Sequence, residues 1–132
     1  MPPPASVTTA IEASGLRIVG NDIASLHRTY ATMPGMNADP AAYYRDFYFN
    51  HQACPTLLFT GDRRVDALVD RCRKTGANGV VFVGEKFCEY EYFEFPHLEK
   101  KLREKGIRAL VLEIAIDDEE PQIINLHEGE IL

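Results

Sequence analysis

The chain has 132 residues, 45% of them apolar and 26% charged, with a net charge of −6. That is one domain with enough apolar content for a core, and too acidic for nucleic acid as main partner, since phosphate contacts need clustered Lys and Arg. No apolar run approaches the roughly 20 residues of a membrane span, and the Met-Pro-Pro-Pro-Ala opening lacks the basic and apolar regions of a secretory signal. Three cysteines without short-spaced pairs argue against a disulfide framework and for reducing, cytoplasmic surroundings.

In chain order, Val7, Ala10 and Ile11 predict a helix over Ala5 to Ser14 that stops at Gly15. Leu16 to Val19 reads as a first strand, closed by Gly20-Asn21-Asp22. Residues 23 to 38 give no clear assignment; Pro34-Gly35 marks a turn, and the segment before it has room for one or two helical turns. Asp39-Pro40 is an N-cap and first-turn pair, opening a helix that sets Tyr44, Phe47 and Tyr48 on one face. Cys54-Pro55 breaks the chain, and Thr56 to Phe59 is an edge strand or buried loop. The clearest helix is Asp62 to Thr75, where Val65, Leu68, Val69 and Cys72 form one apolar stripe. Arg63, Arg64, Asp66, Asp70, Arg71, Arg73 and Lys74 are assigned to its solvent side. Val80 to Val83, four apolar residues between Gly79 and Gly84, read as a strand buried on both faces. A helix from near Pro96 to Lys105 buries Leu98 and Leu102, and Ala109 to Ile116 is the last strand. The chain then turns acidic and loses periodicity. The expected organisation is one three-layer α/β lobe over residues 1–116, with about four mostly parallel strands and helices on both faces, then an acidic tail over 117–132.

Strand, turn, helix, strand around Cys88 is a βαβ unit, and Cys88 follows the carboxyl end of its first strand, where open α/β sheets place ligands. A helix N-terminus favours a thiolate there, and Lys86 adds to it, while Glu89, Glu91 and Glu94 oppose ionisation unless they point away. Position alone leaves Cys88 open between a structural and a functional thiol. Cys72 reads as a small buried hydrophobe, and Cys54 as structural or site-lining. His27, His51, His97 and His127 have no metal-ligand spacing and read as surface or helix-end residues. Asp117 to Glu120 read as solvated acids. No phosphate-binding glycine loop, dinucleotide fingerprint or nucleophile elbow is present. Tyr90, Tyr92, Phe93 and Phe95 read as core and rim, with a pocket or subunit interface as the alternative.

Asn78-Gly-Val-Val-Phe-Val-Gly-Glu-Lys-Phe-Cys-Glu89, Tyr92-Phe-Glu-Phe-Pro-His-Leu98 and Gly106-Ile-Arg-Ala-Leu-Val-Leu-Glu113 resemble the C-terminal part of the 2-hydroxyacyl-CoA dehydratase and benzoyl-CoA reductase family. Gly15 to Asp22 and Cys54-Pro55 agree more loosely, so the resemblance spans roughly residues 5 to 116. It implies a Rossmann-like or flavodoxin-like lobe of a subunit that pairs with a homologous subunit. It also implies a [4Fe–4S] cluster held by three cysteines, with Cys88 as one ligand and Cys54 as a weaker candidate. An acyl-CoA substrate and a separate ATP-hydrolysing activator that delivers one electron complete the implied system. In the dehydratases that electron makes a ketyl radical from a 2-hydroxyacyl-CoA thioester, which then loses water; in the reductases electrons enter an aromatic ring.

Several features depart from the family pattern. The other two cluster ligands have no clear match, Ile23-Ala24 stands where a loop cysteine is common, Glu89 replaces the commoner Asp, and an acidic tail replaces a final helix. One thiolate does not hold a cluster. The expectation is therefore a lobe of a larger enzyme, a split subunit or an excised segment, inert by itself. A second reading is a non-catalytic α/β domain that mediates subunit association through the Tyr90 to Phe95 aromatics. A third, a flavodoxin-like cofactor binder, is weakened by the lack of a Ser-, Thr- or Gly-rich phosphate loop after Val19.

Overall fold

The computed structural model describes residues 3–28, 30–33, 35–36, 38–50, 62–114 and 122–124. In chain order these form α1 (Ala5–Ala13), a kinked turn at Ala24–Arg28 in which Leu26 is not helical, α2 (Pro40–Asn50), α3 (Arg63–Thr75), β1 (Gly79–Glu85), α4 (Glu89–Glu104), β2 (Arg108–Ile114) and β3 (Gln122–Ile124). β1 and β2 pair in parallel, from Gly79↔Arg108 to Glu85↔Ile114, with α4 as the crossover. β3 lies on the other side of β2 and runs antiparallel to it, Leu112 facing Ile123. The architecture is mixed α/β with a parallel pair. Among the described residues the sheet has three strands rather than about four, and the third arises within the stretch expected as a tail.

Strand side chains alternate between faces, and the register sorts them into a stripe of opposed pairs, Val80↔Ala109, Phe82↔Val111 and Gly84↔Glu113. The first two pairs lie under Val65, Leu68, Val69 and Cys72 of α3 and Phe95, Leu98 and Leu102 of α4, with Ile107 closing the core. The Phe82 and Phe95 rings sit 4.9 Å apart in a tilted stack, an arrangement that adds to simple area burial. On the opposite face Leu112 is buried, while Val81, Val83 and Leu110 are half-buried, so β1 is less enclosed than its apolar run suggests.

Local signals explain the helix ends. Asp39 Oδ1 accepts the Ala41 N–H at 3.1 Å, capping α2 as its sequence predicts. Gly76 ends α3 with φ 70°, a left-handed conformation that favours glycine, and its N–H reaches the Cys72 carbonyl. α4 starts at Glu89, well before the expected start near Pro96, and Pro96 lies inside it. An interior proline removes one helix hydrogen bond and costs about 3 kcal/mol. Burial of Phe95 and Leu98 on either side of it offsets that, at roughly 1.5–3 kcal/mol each. Glu89 and Glu91 in the first turn also suit the helix dipole.

Two sequence expectations are corrected. Leu16 to Val19 is not a strand: it makes no ladder and its side chains are exposed. Four residues between Gly15, at φ 79°, and Gly20 have no neighbouring strand among the described residues. Arg64 is not on the solvent side of α3; it is 7% exposed. It stands one turn before Leu68, at the edge of the apolar stripe, and meets Glu94 of α4 with Nη1 and Asp22 with Nη2 at 3.4 Å. Arg28, also buried, donates to the Asp22 carboxylate at 2.9 Å and to its carbonyl at 2.7 Å. Two guanidinium groups and two carboxylates thus tie the Asp22 loop and the Ala24–Arg28 turn to α3 and α4. Thr56 to Phe59, Pro34, Cys54, His51 and His127 lie outside the described residues.

Burial pushes the Glu94 carboxyl above its usual 4.5, and Arg64 and Arg28 only partly pull it back. The folded state therefore holds that proton more tightly than the unfolded chain, so ionised Glu94 costs stability at neutral pH, and the cost is relieved as pH falls through the raised value. Replacing Arg64 with Met leaves Glu94 without its ion-pair partner and is expected to destabilise the fold by about 3–5 kcal/mol at neutral pH. Urea titrations across pH should show that loss shrinking on acidification. A loss that stays constant with pH would contradict the burial of an ionised Glu94.

Candidate functional site

The site is built where β1 gives way to α4. The ladder runs one bond past the strand, with the Lys86 N–H donating to the Ile114 carbonyl at 2.8 Å. Phe87 follows at φ 70°, a left-handed conformation uncommon for a residue with a Cβ. Cys88 then sits at the N-cap position of α4. Its N–H donates to the Glu85 carbonyl at 3.0 Å, and its own carbonyl accepts from Glu91 at 3.1 Å and Tyr92 at 3.3 Å. The turn is thus fixed on both sides by backbone hydrogen bonds. Among the described residues the Cys88 thiol forms no disulfide, and it is half-buried at the carboxyl edge of the parallel pair.

The acids that oppose a thiolate in the sequence each have another engagement. Glu91 turns back so that its Oε2 accepts the Glu85 N–H at 3.2 Å. Glu94 meets Arg64, and Glu89 is exposed to solvent, where its charge is screened. Glu113 of β2 accepts the Tyr92 Oη–H at 2.5 Å. Burial, that hydrogen bond, and the negative charges of Glu113, Glu91 and Cys88 together push the Tyr92 phenol well above its usual 10. Tyr92 is accordingly a protonated donor at neutral pH.

The aromatic residues divide by helical position. Phe95 is in the core, and Tyr92 is half-buried with its ring edge-on to Phe95 at 6.1 Å. Tyr90 and Phe93 face solvent, Phe93 at 83% exposure, and Phe87 beside Cys88 is 94% exposed. Gly84 makes the inward packing possible. A Cβ at that position would lie 2.9 Å from Phe95 Cε2 and 3.4 Å from the Tyr92 hydroxyl.

Of the remaining sequence candidates, Cys72 is buried in the α3 stripe and its thiol is pushed up by burial, which suits packing rather than reactivity. Cys54 lies outside the described residues. His97 is exposed and contacts Asp62 at 3.1 Å, while His27 meets Arg71 through its ring nitrogen. Among the described residues no three His, Cys, Asp or Glu side chains converge as a metal site, and no helix is long and apolar enough to cross a membrane. Sequence reasoning missed the Asp22–Arg28–Arg64–Glu94 cluster and the Tyr92–Glu113 bond. The second had a signal: Gly84 and Glu113 are the non-hydrophobic members of two otherwise apolar strand stripes.

Comparison with known proteins agrees with the resemblance carried by these segments. The profile of the family described as 2-hydroxyglutaryl-CoA dehydratase, D-component, matches residues 1–126. The beta subunit of (R)-phenyllactyl-CoA dehydratase from Clostridium sporogenes is 29% identical over 103 residues, 78% of this chain and 27% of that protein. A benzoyl-CoA reductase subunit from Thauera aromatica is 26% identical over 130 residues, 96% of this chain and 33% of that protein. The beta subunit of lactoyl-CoA dehydratase from Anaerotignum propionicum is 30% identical over 61 residues, 46% of this chain and 16% of that protein. The chain thus spans a third or less of the length of the curated relatives it matches. No solved structure matches it. With the family profile covering nearly its whole length, the chain belongs to the 2-hydroxyglutaryl-CoA dehydratase D-component family.

Proposed function

We propose that this chain is the C-terminal lobe of an iron–sulfur 2-hydroxyacyl-CoA dehydratase or benzoyl-CoA reductase type subunit, and that Cys88 is one thiolate ligand of its [4Fe–4S] cluster. The observation that carries the reading is the position of Cys88. It is half-buried, at the carboxyl edge of a parallel strand pair and the N-terminus of α4, in a chain matched by the family profile over residues 1–126. Ligands of open α/β sheets gather at that edge. The nearby acids are hydrogen-bonded, ion-paired or in solvent.

The described residues fit one ligand of a cluster and not a whole one, since such clusters are held by several thiolates. The remaining ligands and the rest of the acyl-CoA site are supplied by other lobes or a homologous subunit. When bound, the cluster supplies a low-potential electron to the acyl-CoA thioester, recharged by an ATP-hydrolysing activator. In the complete lobe we place a three-layer Rossmann-like or flavodoxin-like sheet, a fourth strand joining those seen here. The lobe boundary lies near residue 116, β3 returns from the acidic stretch beyond it, and the enzyme is cytoplasmic.

A second reading rests on a separate observation. Phe87, Tyr90 and Phe93, all close to Cys88 along the chain, are exposed, which suits a non-catalytic domain that holds subunits together. Thiol chemistry separates the two. In the native chain, Cys88 is expected to react with iodoacetamide faster than Cys72, which burial protects, with peptide mass spectrometry as the readout. Protection of Cys88 equal to that of Cys72, together with intact partner binding by Cys88→Ser, favours the association domain.

Iron analysis tests the main reading. The isolated 132-residue chain is expected to carry no stoichiometric iron. Co-expressed with a polypeptide bearing the remaining lobes, it should yield a complex with about four iron and four sulfide. Stoichiometric iron on the isolated chain would overturn the split-ligand assignment.

A further inference from the structure

We propose that Tyr92 and Glu113 are positioning residues for Cys88: their hydrogen bond clamps the first turn of α4 onto the end of β2 and so fixes the thiol at the sheet edge. The inference deepens the cluster reading and rests on it for its purpose, though the clamp itself is tested without iron.

The stripe facing α3 and α4 consists of three opposed pairs. Val80↔Ala109 and Phe82↔Val111 are apolar and covered by the core, whereas the third is Gly84↔Glu113. A carboxylate on the core face of a sheet is costly unless it is hydrogen-bonded, and a glycine inside a strand gives up packing and backbone entropy. These two exceptions occupy one cross-strand position, and the packed aromatic pair Tyr92 and Phe95 accounts for both. Tyr92 Oη donates to Glu113 Oε1 at 2.5 Å, within the short range of O–H bonds to carboxylates. A Cβ on Gly84 would lie 2.9 Å from Phe95 Cε2, closer than side chains tolerate, and 3.4 Å from the Tyr92 hydroxyl, an ordinary contact. Glycine leaves room for the Phe95 ring against which Tyr92 packs, and the carboxylate accepts the Tyr92 hydrogen bond.

The consequence reaches Cys88 in one step. Tyr92 is one helical turn after Cys88 and donates its N–H to the Cys88 carbonyl at 3.3 Å. The chain just before the thiol is Phe87, held at φ 70° with its ring in solvent, where no side-chain packing maintains that backbone. A residue in the left-handed region persists only if its surroundings fix it. On one side the Cys88 N–H bonds to Glu85 and the Glu85 N–H bonds to Glu91. On the other, the Tyr92–Glu113 bond ties the helix turn to β2.

Variants of the native chain test this through two measurements on one sample: the iodoacetamide labelling rate of Cys88 and the hydrogen exchange of residues 85–92. Removing a hydrogen bond to a charged group, as in Tyr92→Phe, opens the turn locally. It is expected to raise both readouts about tenfold, and Glu113→Leu should do the same. Glu113→Gln keeps an acceptor oxygen at the same place and is expected to stay within about twofold of the parent, a rescue that general destabilisation of the sheet does not give. Should Glu113→Leu fail to fold, Tyr92→Phe, which removes one oxygen only, decides alone. Unchanged labelling and exchange in Tyr92→Phe would overturn the clamp, as would Glu113→Gln behaving like Glu113→Leu. Failure of the cluster reading is separate: iron content that is indifferent to Cys88→Ser in the complete subunit would remove the purpose of the clamp while leaving its effect on the thiol intact.

Discussion

The parallel register of β1 and β2 is the constraint from which the rest of the site follows. Pairing Gly79 with Arg108 and Glu85 with Ile114 places Phe82 opposite Val111 beneath α3 and α4 and brings Gly84 opposite Glu113 at the edge. A slip of one residue would turn Val111 and Glu113 to the other face of the sheet. It would bury an unpaired carboxylate or expose the core pair, and it would remove the acceptor for Tyr92. Register is therefore specified at both ends of the stripe, by apolar packing at one and by a hydrogen bond at the other. Cys88 inherits its position from that pairing, because only Lys86 and Phe87 separate it from the last ladder residue.

The N-terminal part of the chain is held in a different way. α1 buries Val7, yet the segment from Leu16 to Val19 is exposed, and the firm attachment is ionic. Asp22 receives Arg28 from its own turn and Arg64 from α3, and Arg64 passes the link on to Glu94 of α4. Buried ion clusters of this kind contribute little net stability compared with apolar packing of the same volume, but removing one partner is costly. Arg64 Nε has no hydrogen-bond partner among the described residues, which is a further cost of burying it. The cluster is best understood as fixing where the Asp22 loop lies relative to the two helices that cover the sheet.

Much of this is legible in the sequence where one local signal dominates. The α3 stripe, its Gly76 stop, the Asp39-Pro40 helix start and the strand between Gly79 and Gly84 all follow from periodicity and end signals, and the structure has each of them. The departures have physical causes. Pro96 suggests a helix start, but buried neighbours on both sides outweigh its lost hydrogen bond, so α4 begins earlier, just after Cys88. Leu16 to Val19 has a strand's composition, but among the described residues no strand lies beside it. Arg64 reads as a surface residue because its partners Asp22 and Glu94 are 42 and 30 residues away, beyond any local pattern. Cys88 stands out through its place in the βαβ unit, whereas its support by Tyr92 and Glu113 depends on the register of two strands.

The role proposed for Cys88 gives a chemical reason for this architecture. A thiolate that shares an inorganic centre with ligands on other lobes has to be presented at an edge, by backbone that does not drift, and with neighbouring acids already engaged. The turn from β1 to α4 meets each condition with backbone hydrogen bonds, a glycine and a carboxylate. The most direct test is electron paramagnetic resonance of the reduced, complete subunit with and without Cys88→Ser. The account predicts that the cluster signal is lost or its g values change when that sulfur is replaced. A signal of unchanged shape and intensity would contradict it.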